Sequence, residues 1–138
     1  MMIVEFRVPG DPQGKGRPRH SAKTGAVYTP SKTKRYEKVV ADLAKLAMGE
    51  QLPIEGPVML QLTALFPIPQ SWSKRKKVQA AKGELFPTVK PDFDNVAKAI
   101  SDAMNKIVFN DDSQVVYSVI SKVYAERPGV KVIVSKIN

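Results

Sequence analysis

The chain has 138 residues, 43% of them hydrophobic, enough for one domain (1–138) with a real core and too few for two comfortable ones. With no cysteine and a single histidine, it excludes disulfides, thiolate zinc sites, cysteine nucleophiles and histidine-rich metal centres, so any metal must be bound by oxygen. A formal charge of +9, without a leader-like N-terminus or a run of roughly twenty apolar residues, points to a soluble, cytoplasmic protein whose partner is a polyanion, nucleic acid before anionic lipid.

Residues 3–8 alternate, with Val4, Phe6 and Val8 on one face and Glu5 and Arg7 on the other, which predicts a half-buried strand ended by Pro9-Gly10. From there to Pro30 the chain is rich in Gly, Pro, Lys and Arg and is expected to be a mobile basic loop containing Lys15, Arg17, Arg19, His20 and Lys23. Its Gly10–Gly16 run is no phosphate-binding P-loop, which needs four residues between the glycines and Ser or Thr after the lysine. Thr29-Pro30 reads as an N-cap and first helical residue, leading into a helix with Tyr36, Val39, Val40, Leu43 and Ala47 inside and Gly49 after its end. Much of the basic cluster falls on its outer face.

Residues 57–66 place Val58, Leu60, Leu62 and Ala64 on one face of a strand closed by Pro67 and Pro69. Ser71-Trp72-Ser73 then caps a short basic helix, with Lys74, Arg75, Lys76 and Lys77, that runs to about Lys82 and stops at Gly83. The next helix starts near Asp94 and buries Val96, Ile100, Ala103, Met104 and Ile107, with Asp94, Lys98, Ser101 and Asn105 opposite. Asn110-Asp111-Asp112-Ser113 breaks it. Strands over 115–124 and 130–135 follow, joined by Arg127-Pro128-Gly129, so the order predicts an α+β fold with a mixed sheet and helices packed against it.

The acids are concentrated where the bases are not: five of the thirteen lie between Asp92 and Asp112. Asp92 and Asp94, two apart in an extended approach set by Pro91, share a face; Lys98 follows Asp94 by one helical turn, and Asp111 or Asp112 begins the next strand. Taken singly, Asp-x-Asp-Asn before a helix reads as an N-cap and Asp111-Asp112 as a turn. Together, inside a cationic surface, they predict carboxylates gathered on a hard cation such as Mg²⁺, which is held by one or two carboxylates plus substrate phosphate.

The run Lys90-Pro91-Asp92-Phe93-Asp94-Asn95-Val96-Ala97-Lys98, then Asp102-Ala103-Met104-Asn105, then Asn110-Asp111-Asp112-Ser113-Gln114-Val115, resembles the RusA family of Holliday junction resolvases. The resemblance implies a homodimeric, often prophage-encoded endonuclease that uses Mg²⁺, with Mn²⁺ able to substitute, and no organic cofactor, to cut branched DNA at four-way junctions in recombination and repair. Carried over by position, it assigns the metal ligands to Asp92, Asp94 and Asp112 and the essential lysine to Lys98, with Asp111 secondary. Lys15, Arg17, Arg19, Lys74, Arg75, Lys76, Lys77 and Lys90 are expected to contact the DNA backbone. The competing expectations are a nuclease that prefers flaps or forks and a basic DNA-binding protein without catalysis.

Overall fold

The structure, a computed structural model, describes residues 2–16, 19–20, 27–28 and 31–138, with 19–20 and 27–28 described through their backbone. Thr29-Pro30, Arg17, Lys23 and the side chains of Arg19 and His20, which entered the sequence expectations, lie outside the described residues. The order is β1 (Ile3–Pro9), β2 (Arg19–His20), β3 (Val27–Tyr28), α1 (Ser31–Met48), β4 (Val58–Pro67), α2 (Lys74–Ala81), α3 (Phe93–Met104), a 3₁₀ turn (Asp112–Gln114), β5 (Val115–Ala125) and β6 (Gly129–Lys136). The segment expected to be wholly loop carries a small ribbon, with Arg19 opposite Tyr28 and His20 opposite Val27.

The main sheet runs β1-β6-β4-β5. β6 is antiparallel to both β1 and β4, whereas β4 and β5 are parallel. A parallel pair cannot be closed by a hairpin, so the chain leaving β4 crosses through α2 and α3 before it returns as β5. That crossover carries the acidic motif. The alternation predicted for β4 and β6 holds: Val58, Leu60, Leu62, Ala64, Val130, Val132 and Val134 are buried, and α1 and α3 cover that face.

On α1 the buried residues are Thr33, Tyr36, Val40, Ala44 and Met48, spaced by three and four. Val39, expected inside, is 45% exposed because the apolar stripe passes through Val40. The end of α3 also differs from expectation. The helix stops at Met104, and Lys106 adopts a left-handed φ of 69°, with its N–H donating to the Phe109 carbonyl at 2.7 Å. This turn drops Val108 and Phe109 into the core, both fully buried, and sets Phe109 beside Ile54. Ser101, expected on the outer face, is buried and returns its hydroxyl to the Ala97 carbonyl.

Candidate active site

Lys90-Pro91, joined by a cis peptide, delivers the chain to Asp92 at the N-cap of α3. Asp92 has the extended backbone of a cap, φ −68° and ψ 153°, yet its side chain makes no capping hydrogen bond. Asp92 thus holds the N-cap position without engaging its side chain there: the carboxylate is exposed and has no hydrogen-bond or ion-pair partner among the described residues. Asp94 stands in the first turn, where unpaired backbone N–H groups favour negative charge.

Asp94, Lys98 and Asp102 then follow at intervals of four and form one stripe along α3. The Lys98 ammonium lies 3.0 Å from Asp102 Oδ1 and 3.7 Å from Asp112 Oδ2. Its bond to Asp102, assisted by Asp112, raises its pKa above the ordinary lysine value, so it carries a positive charge at neutral pH.

The second acidic pair divides its labour. Asp111 caps the 3₁₀ turn, accepting the Ser113 N–H at 3.0 Å, and the Ser113 side chain, together with that backbone bond, holds its carboxyl below the usual range. Asp112, one residue on, is left to face Lys98. Gln114 closes the capping box: its side-chain oxygen accepts the N–H groups of Asn110 and Asp111 at 2.8 and 3.0 Å. Its amide donates to the carbonyls of Ile54 and Gly56 at 2.8 and 2.9 Å, pinning the acidic turn to the loop before β4.

Below this lies a network that sequence reasoning missed. Lys15, expected to contact DNA, is committed to two carboxylates, pairing with Glu37 of α1 and reaching Asp102 Oδ2 at 3.2 Å. Burial pulls its pKa down, but the two acids outweigh that and leave it raised. Asp102 is thus shared by Lys15 and Lys98. The loop reaches this position because Gly14 has no side chain: a Cβ there would sit 3.0 Å from Asn95 Cβ and 3.1 Å from Pro91 Cβ. Lys15 N–H donates to the Asn95 carbonyl at 3.1 Å and Gly16 N–H to Thr33 Oγ1 at 3.1 Å, which fixes the loop between α1 and α3.

A cleft of about 670 Å³ opens here, lined by Gly14, Lys15, Lys90, Pro91, Asp92 and Asn95. Among the described residues no three acidic or histidine side chains converge as a ready-made metal cage. Asp92 and Asp94 sit at one end of the stripe, and Asp112 reaches its middle through Lys98. The basic side chains of α2 are displayed outward, with Lys74, Arg75 and Lys76 exposed, Lys77 half-buried, and Ser73 capping by accepting the Lys76 N–H at 3.2 Å.

Comparison with known proteins settles the family. A family model described as Endodeoxyribonuclease RusA matches residues 9–135, which span β1's last residue to β6 and contain every site residue above. The chain belongs to the RusA endodeoxyribonuclease family. A Bacillus subtilis (strain 168) relative, described as "Uncharacterized protein YqaN", is 41% identical over 142 aligned positions, covering all of this chain and 99% of that protein. The α+β architecture with a mixed four-stranded sheet agrees with membership in the RusA family. No helix among the described residues is long and apolar enough to cross a membrane.

Proposed function

We propose that this protein is a cytoplasmic endodeoxyribonuclease that resolves four-way DNA junctions by metal-assisted hydrolysis of phosphodiesters. The observation that carries the reading is Asp92, which occupies a helix cap without capping and leaves its carboxylate on a cleft flanked by Lys90, one residue before the first turn that carries Asp94. Membership in the RusA family supports the class of substrate and reaction.

The donors present suit a hard cation: oxygen from Asp92, Asp94 and Asp112, in a chain with no cysteine and one histidine. Because these carboxylates form no complete cage, waters and the scissile phosphate would complete the ligand set, as is usual for Mg²⁺, with Mn²⁺ a substitute. When bound, such an ion supplies Lewis acidity and a more acidic water. The chain's own residues do the rest. Lys98 is a fixed cation for charge that develops on the phosphoryl oxygens, held in place by Asp102. Lys15 anchors Asp102 from the other side, so the stripe is braced to α1. Lys74, Arg75, Lys76 and Lys77, with Lys90, form the phosphate-binding surface; basic residues at the start of a helix oppose its dipole, a cost that an anionic partner relieves.

Paired cutting of a junction needs two active sites, which a twofold homodimer supplies. The sheet face turned away from α1 and α3 has room for a second copy: Ile3 and Tyr117 lie on one cross-strand row and Val119 on the next, each more than half exposed. A labelled synthetic four-way junction incubated with and without Mg²⁺ tests the reading. Paired nicks that require the metal and disappear in Asp92→Asn, with binding kept, are expected. Binding without scission by the unaltered protein overturns it.

A further inference from the structure

Residues 68–92, the stretch inserted between β4 and α3, build one wall of a second cavity, of about 810 Å³, that shares Pro12, Gln13, Lys32, Lys90 and Pro91 with the cleft at Asp92. Its volume is that of a small-ligand site rather than a packing defect, for which clefts of roughly 300–1,000 Å³ are usual. Phe66, Trp72 and Tyr124 bring three aromatic rings to it. Trp72 meets Tyr124 edge to face, with centroids 5.2 Å apart and planes at 71°. Trp72 comes from the turn before α2, Phe66 from the end of β4 and Tyr124 from the paired position on β5, so the pocket exists because the insertion folds back on the sheet's end.

Charge on this cavity is of one dominant sign. Lys32 and Lys90 line it, against the single acid Asp11. Two more lysines stand over its rings, Lys76 with its ammonium 4.0 Å from the Trp72 centroid and Lys122 5.1 Å from that of Phe66. Lys122 also donates to the Val89 carbonyl at 2.7 Å, tying β5 to the segment that leads into Lys90-Pro91-Asp92. Aromatic rings that carry an ammonium group on one face, in a cavity also lined by Lys32 and Lys90, match a ligand that is aromatic in one part and anionic in another. Asp11 and Gln13 offer polar atoms for the edge of the ring system. That chemistry is a nucleotide.

We propose that the cavity receives one unpaired base of the DNA strand whose backbone passes the acidic stripe; the strand's path rests on the nuclease reading above. Continuity through Lys90-Pro91 puts the pocket within the reach of the same strand that meets Asp92. A base in continuous duplex must be unstacked and unpaired to enter, whereas a base at a branch point is already partly released, so the pocket discriminates branched from linear DNA. The insertion thereby acquires a role beyond attraction of phosphate.

Trp72 is the chain's single tryptophan, which makes the test direct. The full-length protein, in metal-free buffer, is titrated with a four-way junction, a linear duplex of matched length, a single-stranded oligonucleotide and dTMP. Tryptophan emission and DNA anisotropy are both followed. Emission is expected to be quenched by the junction and the single strand but not by the duplex, with dTMP far weaker because it lacks the flanking phosphates. Trp72→Leu is expected to weaken junction and single-strand binding about tenfold, the order expected from losing one base–aromatic stack, and to leave duplex binding unchanged. Trp72→Phe restores most of that loss, which excludes misfolding of the insertion as the cause. Equal quenching by duplex and branched DNA, dTMP binding as tight as the oligonucleotide's, or a Trp72→Leu protein that loses self-association but keeps its DNA affinities would each overturn the proposal. The two readings also fail separately. Mg²⁺-dependent cleavage without base-dependent quenching removes the pocket alone, and quenching without cleavage removes the nuclease alone.

Discussion

Replacing Lys15 with methionine keeps the aliphatic stem and removes the ammonium that joins α1 to α3. Its side chain is 24% exposed, and its partners Glu37 and Asp102 are 22% and 20% exposed, so the pair is only partly screened by solvent. At an effective dielectric of about 20 the attraction at 3.2 Å is ~5 kcal/mol before desolvation and side-chain ordering are subtracted. Hydrogen bonds to charged groups leave a net of about 1.5–3 kcal/mol, and a value near 2 fits a half-buried site with two acceptors. With an unfolding entropy of about 2.1 cal/mol/K per residue, 138 residues convert ~2 kcal/mol into a fall in Tm of about 7 °C.

The pH dependence has a defined sign. Lys15 is raised in the folded state above its ordinary value of 10.5, so its contribution is complete below that value and is lost as pH rises through the folded pKa. The gap in Tm between the native protein and Lys15→Met should therefore be constant at neutral pH and shrink in strongly alkaline buffer. Circular dichroism melts across pH, with junction affinity measured against salt, check both points. A Lys15→Met protein that melts normally but binds DNA more weakly, with a salt slope about one unit shallower, would refute the brace and make Lys15 a phosphate contact.

Lys98→Ala should lower the cleavage rate by at least tenfold while changing DNA affinity by less than threefold, measured by single-turnover digestion beside anisotropy. Gln114→Ala removes four hydrogen bonds around the acidic turn and should cost about 2–3 kcal/mol in urea unfolding, with cleavage reduced because Asp112 is no longer held opposite Lys98. Gly14→Ala forces a Cβ against Asn95 and Pro91 and should cost about 1–3 kcal/mol, read by thermal melting. Tyr117→Glu, which sets a charge on the uncovered sheet face, should convert a dimer to a monomer in light scattering and abolish paired nicks before single ones.

What could be read from the chain followed from local rules. The alternation at Val58, Leu60, Leu62 and Ala64, Ser73 as a cap and Gly83 as a stop all reappear where periodicity and turn chemistry place them. Asp111-x-x-Gln114 carries the outline of a capping box, which explains why Asp112 rather than Asp111 faces Lys98. Asp102 had a visible signal too, four residues beyond Lys98, though that spacing alone does not distinguish a brace from an ordinary surface pair. The ion pairs of Lys15 could not be seen, because Glu37 and Asp102 lie 22 and 87 positions away and only the packing of α1 on α3 brings them together. The end of α3 misled for a related reason. Ile107 continues the helical spacing, but burying Val108 and Phe109 beside Ile54 is worth more than another turn of helix.

The most direct test of the central claim compares the native protein with Asp92→Asn and Asp94→Asn on one end-labelled four-way junction, each with Mg²⁺ and with EDTA. Symmetric nicks are expected from the native protein in Mg²⁺ alone, and none from either variant, although both still shift the junction in a gel. Scission that persists in EDTA, or that survives both substitutions at the native rate, would contradict the assignment of these carboxylates to the chemistry.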